Sequence, residues 1–597
     1  MPYRVALICT ALLLSACAAQ PAAETPGQQL TRLVEAHFDE VLELNPVYAT
    51  YLGDHRFDDR LGDSASPAHE AAMRALDQRY LDALREIDPA TLAGQDRLTW
   101  EIFVRARERS LEGAQFPARL LPVNQQSSLP ITLALLGSGA GAQPFATAED
   151  YARWLARAAG FPLAVESVIA AMREGLRSGV TQPRVTMERV VPQLDALIAD
   201  TPEDSLFFGP VRSFPEAIAP EQRAALEARF RTLITATINP ALVKLRDFIR
   251  DEYTPACRET VGWSALPNGA AWYDYLVAGS TTTDMTADEI HALGLAEVAR
   301  IRAEMERVAR EVGFTGSLAE FFRHVQDEPA FYFDDPQALI DGYADIKRRI
   351  DAALPRLFKD FPTADYEVRP VEAFRAASAA GASYQAASAD GSRPGIFYVN
   401  TFNLKAQPKF GMETLALHEA SPGHHFQGSI AQELTGLPRS RRYAGYVAYS
   451  EGWALYAEFL GRELGMFTDP MQYYGRLSDE MLRAMRLVVD TGLHARGWSR
   501  EQAIQYMQDN SSLAYTDIVA EVERYIVWPG QALGYKIGQF RISALRERAE
   551  RELGPAFDVR EFHDEVLRDG ALPLEVLEAK VGRWIDSRRA IPPPAPN

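Results

Sequence analysis

A proline at position 422, followed by a glycine, interrupts the one helix in this chain that would otherwise carry most of its chemistry. The stretch reads His418-Glu419-Ala420-Ser421-Pro422-Gly423-His424-His425. In the common form H-E-x-x-H, two imidazoles one helical turn apart reach a single Zn²⁺. The glutamate beside the first then acts as general base on the metal-bound water. Here the residue four after His418 is Pro422, which cannot bind a metal. On an unbroken helix His424 would lie about 240° around the axis from His418, and His425 about 10 Å along it. Neither could share one ion with His418. The helix is therefore expected to break. Proline disfavours helical geometry at Ser421 and clashes with the preceding turn. Ser421 then fits an N-cap and Pro422 a first helical position for a new helix, and Gly423 gives the backbone freedom. With Pro-Gly treated as an insertion, His424 takes the second-ligand role. Helix geometry favours it over His425, which remains the alternative.

Two ligands do not make a catalytic zinc site. The best third candidate is Glu451 in Tyr449-Ser450-Glu451-Gly452-Trp453-Ala454, on the next expected helix, where Gly452 would allow close approach of metal or substrate. Two histidines and one glutamate leave a fourth position for water. Glu458, two turns further on, is either an acceptor supporting a ligand or an ordinary solvated helix residue.

Around this motif the chain reads as mainly helical. Apolar residues recur at three-to-four spacing over 31–44, 67–87, 98–111, 148–178, 220–253 and 287–312. Ser66-Pro67 supplies an N-cap and first-turn proline, and Thr286-Ala287-Asp288-Glu289 a capping box. Further helices are expected at 443–464, 473–496, 500–510, 515–526 and 532–552, with a turn at Trp528-Pro529-Gly530-Gln531. The clearest strand is Gly395-Ile396-Phe397-Tyr398-Val399-Asn400, just ahead of the motif helix. A soft boundary near residue 370 would divide a helical half (29–370) from a metal-binding half (371–590), and the halves could share one core. The Pro-rich tail 591–597 is expected to be disordered.

The N-terminus carries a targeting pattern. Arg4 precedes an apolar run at 5–14, short of the roughly 20 residues that span a bilayer. Leu14-Ser15-Ala16-Cys17 resembles the bacterial lipobox, in which the cysteine is lipidated. The alternative is a secretory signal cut after Ala16 or Ala19. Ala18, rather than aspartate, after the cysteine suggests outer-membrane sorting by the same resemblance. Residues 18–28 then form a flexible tether. With Cys9 removed and Cys17 lipidated, Cys257 stands alone and no intrachain disulfide is expected. A net charge of −19 argues against a nucleic-acid partner.

The segment 418–427, together with Glu451-Gly452-Trp453-Ala454-Leu455-Tyr456, resembles a bacterial family catalogued as domain of unknown function 885. So do Arg393-Pro394-Gly395, Tyr398-Val399-Asn400-Thr401, Asp490-Thr491-Gly492-Leu493-His494, Glu523-Arg524-Tyr525-Ile526, Pro529-Gly530-Gln531-Ala532 and the segment 286–305. The resemblance covers nearly the whole mature chain. Such proteins look like mainly helical gluzincin-type zinc peptidases, similar in architecture to oligopeptidases and helical carboxypeptidases. This implies a small sheet beside the active-site helix, a deep cleft and a Zn²⁺ cofactor.

The expected roles follow from that chemistry. Glu419 would take a proton from the attacking water and pass it to the leaving amine. Tyr535, His494 or Tyr525 would donate a hydrogen bond to the oxyanion, each with an alternative role in packing or capping. Arg524 would hold a peptide carboxylate, unless it is used in a salt bridge with Glu521 or Glu523. The strand bearing Tyr398 and Asn400 would be an edge that pairs with an extended substrate, or simply a core strand. Leu266-Pro267-Asn268-Gly269 with Trp272 and Tyr273 would wall the cleft. The expected activity is a lipid-anchored zinc metallopeptidase acting on short peptides. The alternatives are a zinc amidase on cell-wall peptides, or a peptide-binding lipoprotein whose metal is structural.

Overall fold

The structure is a computed structural model that describes residues 24–371, 381–387, 394–443 and 445–590. The lipidation candidate Cys17, residues 18–23 of the expected tether and the tail 591–597 lie outside the described residues; the end of that tether is not flexible, since Thr25 caps a helix that starts at Pro26.

The described residues are built into helices, with one small sheet. At the N-terminal end, helices Pro26–Leu44, Pro67–Arg85 and Gly94–Gly113 pack together around Leu30, Leu81 and Phe103. Ser66 caps the second of these as its sequence requires. The expected helix at 148–178 is two helices, Ala148–Ala159 and Phe161–Ser178. Gly160 and Pro162 end the first, because a proline cannot continue it. The expected helix at 220–253 follows one helical path, but two π-turns (Ile234–Ile238 and Ile249–Tyr253) interrupt it. These elements enclose a core of their own around Trp154, Phe161 and Phe230. Cys257 lies at its margin, buried and free of any disulfide.

The elements that position the site begin with α1 (Ala287–Glu311), capped by Thr286 and Glu289 as expected, and α2 (Pro336–Ala353). Strands β1 (Tyr366–Pro370), β2 (Ala382–Gln385) and β3 (Gly395–Val399) follow. Then come α3 (Met412–Glu419), α4 (His424–Glu433), α5 (Val447–Leu460), α6 (Pro470–Ala495), α7 (Tyr515–Val527) and α8 (Leu533–Leu553). Packing crosses residue 370 freely. One cluster joins Leu98, Trp272 and Ile290 with Phe397, Leu417, Trp453 and Ile537, and another joins Met305 and Phe321 with Tyr474 and Met485. The soft boundary therefore does not separate two cores.

The sheet order is β1-β3-β2. β3 runs parallel to β1, with Tyr366 opposite Gly395, and antiparallel to β2, with Ala382 opposite Val399. This corrects the edge-strand expectation: β3 is central, and its backbone is already paired on both sides. Its continuous apolar run, Gly-Ile-Phe-Tyr-Val, is what burial on both faces selects. The proposed cleft wall at 266–273 is also corrected. Trp272 and Tyr273 are buried, Trp272 stacked on Phe116 and Tyr273 donating to Asp490 Oδ1 at 2.5 Å.

Candidate metal centre

The helix does break after Glu419, but not as the capping argument expects. α3 ends at Glu419, a link that includes a cis Ser421–Pro422 peptide follows, and α4 starts at His424 with Gly423 as its N-cap. Ser421 is not the cap and Pro422 is not a first-turn residue. The reason is steric. A Cβ on residue 423 would lie 1.9 Å from the His418 carbonyl oxygen and 2.4 Å from that of Leu417. Only glycine lets the chain pass so close to the end of α3. The link is tied from across the core: Trp453 Nε1 on α5 donates to the Pro422 carbonyl at 2.7 Å.

This path brings the His424 ring against that of His418, centroids 4.8 Å apart and planes nearly perpendicular at 88°. Glu451 on α5 completes the group. Its Oε2 lies 3.6 Å from His418 Nε2 and 3.4 Å from His424 Nε2. Among the described residues, these three form a set whose ligand atoms all lie within 4.8 Å of one another. Ligands about 2.0–2.1 Å from a tetrahedral ion stand about 3.3–3.4 Å apart, so the two measured separations fit a zinc-sized ion. Among the described residues, the buried Glu451 Oε2 makes no hydrogen bond, as expected of a carboxylate oxygen shaped for a cation.

His418 Nδ1 lies 2.7 Å from Oε1 of the buried Glu458, which fixes the ring and turns Nε2 toward Glu451. Burial alone would push the His418 pKa down, but the Glu451 and Glu458 carboxylates raise it to about 10. Glu451 shows the converse. Burial would raise it, yet the two imidazoles hold it well below the usual carboxylate range. Glu419 ends α3 half-buried, and among the described residues its carboxylate has no hydrogen-bond or salt-bridge partner.

His425 points elsewhere. Its Nδ1 lies 2.7 Å from the Tyr384 hydroxyl of β2 and 3.3 Å from Ser429 Oγ, and its ring packs on Tyr366 of β1. Burial lowers its pKa to about 4. Of the two adjacent histidines, the structure brings His424 to the cluster. Gly452 serves packing rather than ligand access: a Cβ there would lie 2.5 Å from Gly538 Cα, where α5 crosses α8.

With this geometry in hand, the comparisons are informative. Residues 46–581 match the family described as bacterial protein of unknown function (DUF885). The chain belongs to that family. A solved candidate lipoprotein from Colwellia psychrerythraea is 30% identical, covering 94% of this chain and 100% of that one, with a TM-score of 0.85. A candidate lipoprotein of unknown function from Shewanella oneidensis shares the fold at 17% identity, covering 92% and 99% with a TM-score of 0.73. No curated protein matches the chain.

The remaining candidates in this DUF885 protein are placed as follows. Tyr535 is half-buried on α8, its ring 4.5 Å beneath the Arg486 guanidinium carbon. His494 is fully buried and is corrected to a structural role. Its Nδ1 accepts from the Trp263 N–H at 3.2 Å, its Nε2 donates to the Tyr525 carbonyl at 3.0 Å, and burial lowers its pKa to about 3. With both ring nitrogens engaged, nothing is left for a substrate oxygen. Tyr525 is likewise buried and gives its hydroxyl to Glu521. Arg524 is corrected to its alternative role, pairing with Glu521 Oε1 at 3.2 Å and donating to Gln531 at 2.7 Å. Tyr398 lies half-buried on the central strand, opposite Arg369 and Ser383. The Asn400 amide N–H donates to the Gly381 carbonyl at 2.9 Å, and its Oδ1 accepts from the Phe402 N–H at 3.0 Å. Both belong to the sheet's own fabric.

Sequence reasoning missed the arginines of α6. Arg483 donates to Asp479 Oδ1 at 2.9 Å. One turn on, Arg486 donates to Glu521 Oε2 at 2.9 Å and to the Tyr525 hydroxyl at 3.1 Å. Burial would raise Glu521, but Arg486 and Arg524 hold it at about 2. In sequence, Asp479, Arg483 and Arg486 at helical spacing read as a solvated face. Only their depth in the fold sets them apart.

Proposed function

We propose that this protein is a zinc metallopeptidase that hydrolyses short peptides at the cell envelope. The observation that carries this reading is the convergence of His418, His424 and Glu451, with the unpartnered Glu419 carboxylate beside a ligand in sequence. Those three residues would hold the ion. A bound zinc would supply Lewis acidity to the scissile carbonyl and the water nucleophile.

The protein's own groups do the rest. Glu419 accepts the proton of the attacking water and delivers it to the departing amine, so water is added across the C–N bond. Glu458 holds the His418 ring in one orientation through Nδ1. Tyr535, whose hydroxyl has no hydrogen-bond partner among the described residues, donates to the carbonyl oxygen as charge develops there. The resemblance read from the sequence motifs, to helical oligopeptidases and carboxypeptidases, favours short peptides rather than folded proteins as substrates. A lipid anchor at Cys17 is supported by the lipobox sequence and by two similar proteins being candidate lipoproteins.

The test is metal analysis together with a peptide-library digest, wild type against Glu419→Gln. Both proteins should carry one zinc, and the variant should cleave about 10²–10⁴-fold more slowly. Absence of bound zinc, or equal cleavage by the two proteins, would overturn the reading. Zinc binding without cleavage by either would favour the non-catalytic lipoprotein. Cleavage confined to cell-wall peptides would favour the amidase.

A further inference from the structure

α6 packs against α3, the helix that bears His418, and carries a pair of guanidinium groups whose hydrogen-bonding capacity is unfilled among the described residues. Arg486 is only 5% exposed, and among the described residues its buried Nη1 has no hydrogen-bond partner, although Nε and Nη2 are used by Tyr525 and Glu521. One turn earlier, Arg483 Nε is also buried and, among the described residues, unpartnered while Nη1 holds Asp479. A buried donor without an acceptor forfeits its desolvation cost, so two on neighbouring arginines call for an acceptor. Tyr535 lies against the Arg486 guanidinium and acts electrostatically on both arginines. Arg483 in turn bears on His418 and Glu458, which ties the pair to the metal cluster. Arg524, the first choice from sequence, is already used by Glu521 and Gln531.

We infer that Arg483 and Arg486, flanking Tyr535, receive the free C-terminal carboxylate of the peptide, so that the enzyme trims very short fragments from C-termini. This rests on the metallopeptidase reading and adds its polarity. A carboxylate is the acceptor that guanidinium groups bind best, through paired N–H···O contacts. The distance agrees. Asp479 on α6 interacts electrostatically with His418 and Glu458, and helix rise puts Arg483 about 6 Å and Arg486 about 10 Å along α6 from it. An extended peptide advances about 3.3–3.6 Å per residue. A carboxylate held there would lie about two residues beyond the bond presented to His418, His424 and Glu451. Water then adds across that C–N bond, leaving a new carboxylate on the longer product and a free amine on the short one.

The experiment uses N-acetylated pentapeptide libraries made as free acids and as C-terminal amides, with the full mature chain loaded with zinc. Binding is read on the Glu419→Gln protein, and cleavage positions on the wild type by mass spectrometry. At least tenfold preference for acids is expected in both, with cuts one to three residues from the C-terminus. Arg483→Gln and Arg486→Lys should each shrink the preference. Replacing the buried Arg486 risks unfolding the chain, so the acid-against-amide comparison on the intact arginines is decisive by itself. Equal binding of acids and amides, or internal cuts without regard to the terminus, overturns the inference while leaving the peptidase reading intact. Acid-selective binding with no cleavage by wild type keeps the carboxylate site and removes the peptidase reading. No binding of either library overturns both.

Discussion

Trp453 donates its indole N–H to the Pro422 carbonyl at 2.7 Å from the helix that presents Glu451 two residues earlier. One helix thus carries a candidate metal ligand and the clamp on the link that aims another. Trp453→Phe keeps most of the apolar bulk but leaves the Pro422 carbonyl unpaired, a cost of about 1–3 kcal/mol. Zinc affinity, measured by competition with a chromophoric chelator, should fall about 10–100-fold. Unchanged affinity with a lowered melting temperature would reduce Trp453 to a packing residue.

Zinc binding should expel a proton. Metal-free His418 has its pKa raised to about 10, so it is protonated at neutral pH, whereas a ligand imidazole must be neutral. Calorimetry at pH 7.5 in buffers of different ionisation enthalpy should show about one proton released per zinc, with affinity rising about tenfold per pH unit. Enthalpies independent of buffer would contradict this. The same shifts set the pair's contribution to metal-free stability. The raised His418 contributes fully below its ordinary 6.5 and loses this as pH climbs through about 10. The depressed Glu451 contributes above its ordinary 4.5 and loses this as pH falls through its lowered value.

Replacing His494 should damage folding and spare chemistry. His494→Ala strands the Trp263 N–H and the Tyr525 carbonyl, at about 1–3 kcal/mol for each group left unpaired. Denaturant titration should show that loss, while kcat/KM of the folded fraction on a library-derived peptide stays within a few-fold of wild type. A hundredfold drop in kcat at full stability would return His494 to the reaction.

Gly452→Ala should push α5 off α8, because the new methyl would lie 2.5 Å from Gly538 Cα. Overpacking of this kind costs about 1–3 kcal/mol, and Glu451 would move with its helix, weakening zinc binding. Gly428→Ala is the control. It sits on α4 with nothing within 4 Å of the added carbon and should be neutral or slightly stabilising. Equal melting temperatures for the two variants would refute the close-crossing account.

Much of this was legible before the fold was known. Capping at Thr286 and Ser66 and the three-to-four spacing of apolar residues are local signals, and the helices obey them. The break at Gly160 was hidden because apolar spacing continues across it. β3 stood out through its own apolar run, but its partners β1 and β2 are short and polar, so nothing announced that both its edges would be taken. His418, His424 and Glu451 could be nominated because metal chemistry restricts residue type. Arg483 and Arg486 could not, since helical charge spacing looks the same on a wet surface and in the interior. Gly452 beside a candidate ligand invited a chemical reading, whereas its role is set by Gly538, distant in sequence.

His424 and His425 share a peptide bond yet serve different neighbours, one facing the ligand group and the other pinned between Tyr384 and Tyr366 of the sheet. A shift of β2 large enough to move the Tyr384 hydroxyl would therefore turn the first residues of α4 and swing the His424 nitrogen with them. The small sheet packs on α3 and α4, and through His425 it fixes the start of the helix that presents His424.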